Sequence, residues 1–206
     1  MINGNFFNII YFFIIISLFN SNFTFSQSSS LSIGSGLFDA KGYNFKTKPV
    51  ITLPIIEHSI NFPLSNNDRH WGFLSTGYRK KGVSYSYSGT TVEHYRGYLY
   101  YALGYKYSVY IDNTNLKRNL ISVGIINGKL FWGSKSIVNG KNTPISYGRK
   151  GFRNWSVYIG VEQVYNKMGY SIKLLSDISS FNPSSFNNDP KIYFYGIEVS
   201  FNYYFY

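Results

Sequence analysis

Two segments of this 206-residue chain alternate strictly between apolar and polar positions. Over residues 154–162 the odd-numbered positions are Trp, Val and Ile, whereas the even-numbered positions include Asn, Ser, Gly and Glu. Over residues 195–205 the odd-numbered positions are Tyr, Ile, Val and Phe, and those between include Gly, Glu, Ser and Asn. A period of two predicts a β-strand with one apolar face. Because no comparable helical period occurs elsewhere, the chain is predicted to be all-β.

Eight strands are predicted, and their connections alternate in length. The strands are predicted at 29–38, 49–61, 69–79, 95–110, 117–132, 152–165, 168–179 and 191–206. The long connections are 39–48, 80–94, 133–151 and 180–190, and the short ones are 61–68, 111–116 and 166–167. Short turns at one end and long loops at the other are typical of an eight-stranded antiparallel up-and-down transmembrane β-barrel with both termini in the periplasm.

The tight turn at 166–167 also predicts a strand register. A two-residue turn there places Val161 opposite Ile172 and Ile159 opposite Leu174, so that apolar residues meet on one face. Glu162 is then opposite Ser171 on the other face. A sheet with one buried or lipid-facing face specifies its register, because a slip of one residue would move every side chain to the opposite face.

Residues 1–26 are predicted to be a cleaved signal peptide, and 27–206 to be the outer-membrane β-barrel domain. The stretch 6–19 is apolar apart from Asn8 and Ser17, which is the length of a signal-peptide core and shorter than a membrane-spanning helix. Residues 24–26 then supply a small-x-small cleavage pattern. An uncleaved membrane anchor is the alternative. All 29 charged residues follow this segment, and an exported chain without a long apolar run can still cross a membrane as a closed barrel.

Composition excludes several classes of protein and indicates the kind of partner. Aromatic residues make up 20% of the chain and charged residues 14%, which excludes intrinsic disorder. The absence of Cys excludes a disulfide scaffold and Cys-ligated metals. The net charge of +11 is partly carried by the long predicted loops, which include Lys80, Lys81, Arg149 and Lys150. On an exported barrel these basic loops are expected to face lipopolysaccharide and not nucleic acid.

The inner face of the last three predicted strands carries charge. Alternation predicts that Glu162, Lys173, Asp177 and Glu198 all point into the barrel, since a charge facing lipid near the bilayer midplane costs about 2–4 kcal/mol. Lys173 is expected to pair with Glu162 or Glu198. Eight strands enclose only enough space for side chains, so a rigid polar network is the preferred interpretation and a narrow conduction path is the alternative.

Several short motifs resemble the small outer-membrane β-barrel family that includes PorT-like proteins. Residues 78–82, Tyr-Arg-Lys-Lys-Gly, resemble the family's Tyr-x-x-Lys-Gly motif, and 98–107 resemble its fourth strand, with Ala102 in place of the usual Pro. The pattern from Asn154 to Gly160 is similar to its sixth strand. The resemblance implies an eight-stranded outer-membrane barrel and transfers no catalytic residue. Phe201, Tyr203 and Phe205 resemble the C-terminal signal that the barrel-assembly machinery reads, displaced by one residue from the terminus.

The sequence contains no motif for catalysis or for a cofactor, and none is predicted. His94 falls in a Ser-rich predicted loop, where the hypothesis of a lipid A-modifying enzyme would place a catalytic group, but a solvated loop histidine is preferred. His58 and His70 flank a short turn and are expected at the membrane interface. A component of a secretion or motility assembly and a secreted lipocalin-like barrel are two further hypotheses. The lipocalin-like barrel requires the reverse arrangement, apolar inside and polar outside.

Overall fold

A computed structural model of the chain describes residues 28–41, 46–66, 68–87, 90–112, 114, 116–138, 141–144, 153–179 and 192–205. These residues form ten β-strands, in chain order β1 (Ser28–Lys41), β2 (Thr47–Lys48), β3 (Val50–Pro63), β4 (His70–Tyr87), β5 (Thr90–Ile111), β6 (Lys117–Val138), β7 (Lys141–Pro144), β8 (Arg153–Tyr165), β9 (Met168–Asp177) and β10 (Tyr193–Phe205). The described part of the chain contains no helix with the length and apolar character needed to span a bilayer.

Eight of the strands close into a barrel. Neighbouring strands pair antiparallel in the order β1, β3, β4, β5, β6, β8, β9, β10, and β10 pairs with β1 to complete the ring. The short strands β2 and β7 pair with the ends of β4 and β6. The predicted eight-stranded antiparallel barrel is therefore confirmed.

The register around the ring sets the tilt of the strands. Directly paired residues lead from Ser29 around the barrel and back to β1 at Asp39, ten residues further along. The path passes through Ile60, Leu74, Leu103, Ile125, Val157, Ser176 and Tyr195. With about 3.3 Å per residue and about 4.8 Å between strands, this offset tilts the strands by roughly 40° from the barrel axis. Eight strands at that tilt leave an interior that side chains can fill.

The hairpin between β8 and β9 has the predicted register. Ile159 pairs with Leu174, Val161 with Ile172 and Glu162 with Ser171. Its tight turn places Asn166 in the left-handed region, with φ of 53°. Asn adopts that conformation more readily than most residues, so a two-residue connection is possible here.

Three strands are longer than predicted, and this changes one end of the barrel. The prediction placed a loop at 80–94, but β4 and β5 remain paired as far as Tyr87 and Thr90. Similarly, β6 continues to Val138. The Gly and Ser residues in 82–91 favour a turn, yet Tyr85 and Val92 pair directly across the hairpin and continue the sheet. The strands β4, β5 and β6 therefore project beyond the other five barrel strands, at the end opposite the start of β1 and the end of β10.

The two faces of the barrel wall differ in chemistry. Large apolar residues on the outer face are exposed, for example Leu103 (59%) and Ile159 (53%). The buried side chains of the interior include many Ser, Asn and charged residues. Two paired inner-face glycines, Gly104 and Gly124, make room for large rings, since a Cβ at either would lie within 2.7 Å of Phe73 or Tyr158. These two rings pack together above the glycines, with centroids 6.3 Å apart.

Candidate functional site

The barrel interior holds a network of four acidic and four basic side chains. The pairs are Glu57 with Lys173 (Oε1 to Nζ, 2.9 Å), Glu162 with Lys106 (Oε2 to Nζ, 3.0 Å), Glu198 with Arg79, and Asp177 with Lys81. We call these eight residues the interior charge network. Since each carboxylate contacts one cation, the charges compensate one another where water is scarce.

Neutral side chains complete the hydrogen bonding of the network. The Tyr100 hydroxyl donates to Glu57 Oε2 at 2.6 Å, and the Tyr204 hydroxyl donates to Glu162. The Arg79 guanidinium lies over the Tyr100 ring, 4.4 Å from its centroid, and donates from Nη2 to Glu198 Oε2 at 2.9 Å. Tyr100 therefore links two ion pairs and is a central element of the interior.

Replacing Tyr100 by Phe tests this link. The substitution leaves Glu57 with one hydrogen-bond donor fewer in a buried site, so the free energy of unfolding is expected to fall by about 1–3 kcal/mol. The measurement is urea unfolding of protein folded into phospholipid vesicles. Tyr101→Phe is the matched control, because the neighbouring side chain faces outward and is 57% exposed. Equal stability of the two variants would contradict a linking role for Tyr100.

The prediction that Lys81 belongs to a basic extracellular loop is wrong. Its side chain is 2% exposed and lies inside the barrel, with Nζ donating to Asn154 Oδ1 at 2.7 Å, to Ser156 Oγ at 3.0 Å and to Asp177. The reason is that β4 continues to Tyr87, so alternation keeps Lys81 on the inner face. What resembled a loop charge is a buried member of the interior charge network.

Of the other three cations predicted in long loops, one lies on a strand and two are outside the described residues. Lys80 lies on β4, and its Nζ is 4.4 Å from the centroid of the Tyr95 ring. Arg149 and Lys150 lie outside the described residues. Contact of these basic residues with lipopolysaccharide stays a prediction.

Sequence reasoning placed half of the interior charge network on the inner face. Glu162, Lys173, Asp177 and Glu198 are all buried or half-buried inside, as their strand positions require. Their partners Arg79, Lys81 and Lys106 and the fourth acid, Glu57, were not identified. Alternation along β3, β4 and β5 would have placed Glu57, Arg79 and Lys106 inside, and the true length of β4 would have placed Lys81 there. Lys173 contacts Glu57 and not either predicted partner.

A small cavity lies inside the barrel near the end where β1 begins and β10 ends. This cavity of about 30 Å³ lies among Trp71, Lys106, Leu120 and Tyr204. Such a volume holds about two water molecules.

The outer face carries an apolar belt. It includes Ile33, Leu103, Ile125, Ile159 and Val161, each of which is 49–59% exposed. Between Trp155 and Tyr165 on β8 the ten-residue separation spans about 25 Å along the axis at the tilt given above. Within this height the outward-facing described residues include no Lys, Arg, Asp or Glu. That height matches the apolar band of membrane barrels.

Charged and aromatic residues border the apolar belt. Lys129 and Arg153 are exposed at the end where β4 to β6 project, and Lys117 and Lys167 are exposed at the end with the short turns. Aromatic residues at the two margins include Tyr78, Tyr101, Trp155 and Tyr195 at the first end and Tyr105, Tyr107, Tyr165, Tyr170 and Tyr203 at the second. Girdles of aromatic residues around a barrel are typical of the interface between lipid and water.

The turn between β5 and β6 is fixed by one carboxylate at the end with the short turns. The backbone N–H of Lys117 donates to Asp112 Oδ1 at 3.1 Å, and the Thr114 hydroxyl donates to Oδ2 at 2.8 Å. These hydrogen bonds favour the ionised form and hold the pKa of Asp112 below its ordinary value. These contacts join Asp112, Thr114 and Lys117 at this end of the barrel.

The three histidines occupy different places in the described part of the chain. His94 lies on β5, buried, and not in a loop as predicted; its Nε2 is 2.8 Å from the Tyr85 hydroxyl, and the two rings stack with centroids 5.3 Å apart. His70 begins β4 beside the short turn and bonds the Tyr105 hydroxyl. His58 lies further along β3, opposite Leu31 and Thr76. The described residues include no group of three or more His, Asp or Glu placed to hold a metal ion.

The predicted C-terminal assembly signal forms one continuous stripe. Phe201, Tyr203 and Phe205 all lie exposed on the outer face of β10. The rings of Tyr203 and Phe205 meet edge to face, with centroids 5.0 Å apart. Recognition of this stripe by the barrel-assembly machinery stays a prediction.

No family model and no curated protein matches the chain, so the resemblance to PorT-like proteins stays a prediction. Solved structures similar in fold include Ail, the attachment invasion locus protein of Yersinia pestis, at 12% identity over 85% of this chain and 98% of that one, with a TM-score of 0.41. The outer membrane protein OprG of Pseudomonas aeruginosa is 10% identical over 87% and 96%, with a TM-score of 0.48. Neisserial surface protein A is 8% identical over 86% and 95%, with a TM-score of 0.39.

Proposed function

We propose that the chain is an integral outer-membrane β-barrel with a structural, envelope-stabilising or surface-interaction role. The observation that carries this proposal is the distribution of side chains, which is the reverse of that in a water-soluble protein. Exposed apolar side chains form a belt outside, and the interior charge network lies inside. In water such a belt would be an unusually large apolar surface, whereas in lipid it is the favoured one. A secreted ligand-binding barrel of the lipocalin type requires the opposite faces.

The proposed orientation has both termini in the periplasm and the long strands outside the cell. The three short turns lie at the end where β1 begins and β10 ends, and the projecting parts of β4, β5 and β6 lie at the other. Short periplasmic turns and longer extracellular extensions are the rule for membrane barrels of this class. The projecting sheet would be the surface offered to partners outside the cell.

Membrane extraction tests the proposal directly. The full-length protein is expected to stay in the membrane fraction after washing with carbonate or urea, and to migrate on a gel with a mobility that changes on heating. On intact cells, protease should cut the ends of the β4–β5 and β6–β8 connections and leave the short turns intact. Release of folded protein by carbonate would contradict integral membrane insertion.

A closed interior is expected to prevent conduction. Eight strands enclose only enough space for side chains, and the interior charge network lies within that space, so purified protein in a planar bilayer should produce no steady conductance above that of detergent-only controls. A reproducible open level would support the alternative of a narrow conduction path. Arg79→Ala is a useful companion variant, since removing the large side chain should create the space that conduction needs.

The role proposed within the membrane is not catalytic. His94, the residue on which lipid A modification would depend, is buried against Tyr85. If His94→Ala left every lipid A species unchanged in cells, the enzymatic alternative would lose its best candidate residue. A part in a secretion or motility assembly, as the PorT-like resemblance implies, would be supported by co-purification of defined partners with the folded barrel.

A further inference from the structure

Two cations lie directly opposite each other at the border of the apolar belt. Lys129 on β6 and Arg153 on β8 are cross-strand partners, and both side chains are exposed. Neither side chain makes a hydrogen bond or an ion pair with a described residue. Directly opposed like charges destabilise a sheet, and this pair is the last one of the β6–β8 pairing. An anion held between the two side chains would remove this repulsion.

The residues next to this pair form a graded surface that suits a lipid. One step towards the middle of the belt, Asn127 pairs with Trp155, which is 41% exposed. One step further, Ile125 pairs with Val157. Two cations, then an aromatic ring, then aliphatic side chains match the headgroup, interface and acyl-chain levels of a membrane lipid. Phosphate is the anion found at the headgroup level.

We propose that Lys129 and Arg153 bind a phosphate of lipid A in the outer leaflet, with Trp155 against the sugar and acyl region. This inference rests on the proposed outer-membrane placement, because the pair lies at the end that would face the outer leaflet. Arg presents paired donors to phosphate oxygens, while Lys adds a flexible charge. On the neighbouring strands, Leu99 flanks Lys129, and Lys80 lies on β4 two strands away at a similar height.

Equilibrium binding of labelled diphosphorylated lipid A to purified full-length protein in neutral detergent micelles tests the site. At about 1 kcal/mol for each basic residue near an anionic surface, the K129Q/R153Q double variant should bind about 30-fold more weakly than the wild type. The matched control, K117Q/K167Q, removes two exposed cations at the opposite end and should bind like the wild type. Heat-dependent gel migration confirms that each variant is folded.

The possible outcomes separate the site from the proposed function. Unchanged binding by K129Q/R153Q would overturn the site, even if carbonate extraction places the protein in the membrane. Equal affinity for phosphatidylglycerol would overturn the assignment to lipid A, and undiminished binding of lipid A stripped of its phosphates would overturn phosphate recognition. In addition, Arg153→Glu should raise the unfolding temperature without lipid, because it turns a repulsive cross-strand pair into an attractive one. A lower unfolding temperature would contradict the inferred repulsion.

Discussion

Replacing Glu198 by Leu is expected to lower the free energy of unfolding by about 3–5 kcal/mol, because it leaves the Arg79 charge buried without its carboxylate. Arg79 is 1% exposed and Glu198 is 3% exposed, so neither can reach bulk water without opening the barrel. The ring of Tyr100 contacts the guanidinium but carries no negative charge to replace the lost one. The measurement is urea unfolding of the protein in phospholipid vesicles, followed by Trp fluorescence.

The double variant R79M/E198L separates two explanations for that loss. It removes both charges and replaces them with apolar side chains of similar volume, so no charge is left uncompensated. Replacing a whole buried pair in this way is often neutral or stabilising. We therefore expect the double variant to recover most of the stability that E198L loses. If the double variant were the less stable of the two, the ion pair itself and not the uncompensated charge would be the source of stability.

Replacing Ile159 by Arg is expected to destabilise the folded barrel in a membrane by about 2–4 kcal/mol. Ile159 lies near the middle of the apolar belt on β8 and is 53% exposed, so the new charge would face lipid at the depth where it costs most. The same charge at Tyr165, at the margin of the belt and 65% exposed, should cost only about 0–1 kcal/mol. Folding into vesicles at a series of urea concentrations measures both.

The comparison between these two positions depends on the solvent around the barrel. In water, both substitutions would place a cation on an exposed surface, and both would be close to neutral. A large difference between I159R and Y165R is therefore expected only if the apolar belt is in lipid. Similar stability of the two variants would contradict the proposed membrane placement without affecting the barrel fold itself.

The barrel class and the local register could be predicted from the sequence. Alternation over 154–162 and 195–205 identified the outward and inward faces, and the two-residue turn at 166–167 gave the β8–β9 register residue by residue. Both depend on interactions between positions that are close along the chain or adjacent across one hairpin. Such interactions leave a pattern that a single sequence displays.

The lengths of β4 and β5 could not be predicted in the same way. The segment 82–91 is rich in Gly and Ser, and its local preference is for a turn. Residues 82–87 and 90–91 are in strands because each has a partner across the β4–β5 hairpin, with Tyr85 opposite Val92, and β2 and β6 pair on the outer sides. This extension is the reason that Lys81 is inside the barrel and not in a loop.

The sequence by itself determined that the chain forms a barrel with apolar residues outside and charges inside, because a period of two assigns each side chain to a face. Only the tertiary structure decided which charges meet. Glu198 and Lys173 are direct cross-strand partners, yet Glu198 bonds Arg79 and Lys173 bonds Glu57. The reason is geometric. In a closed barrel with a ten-residue offset, side chains that meet across the interior come from strands distant in sequence. No local sequence pattern shows which of these side chains lie at the same height along the barrel axis.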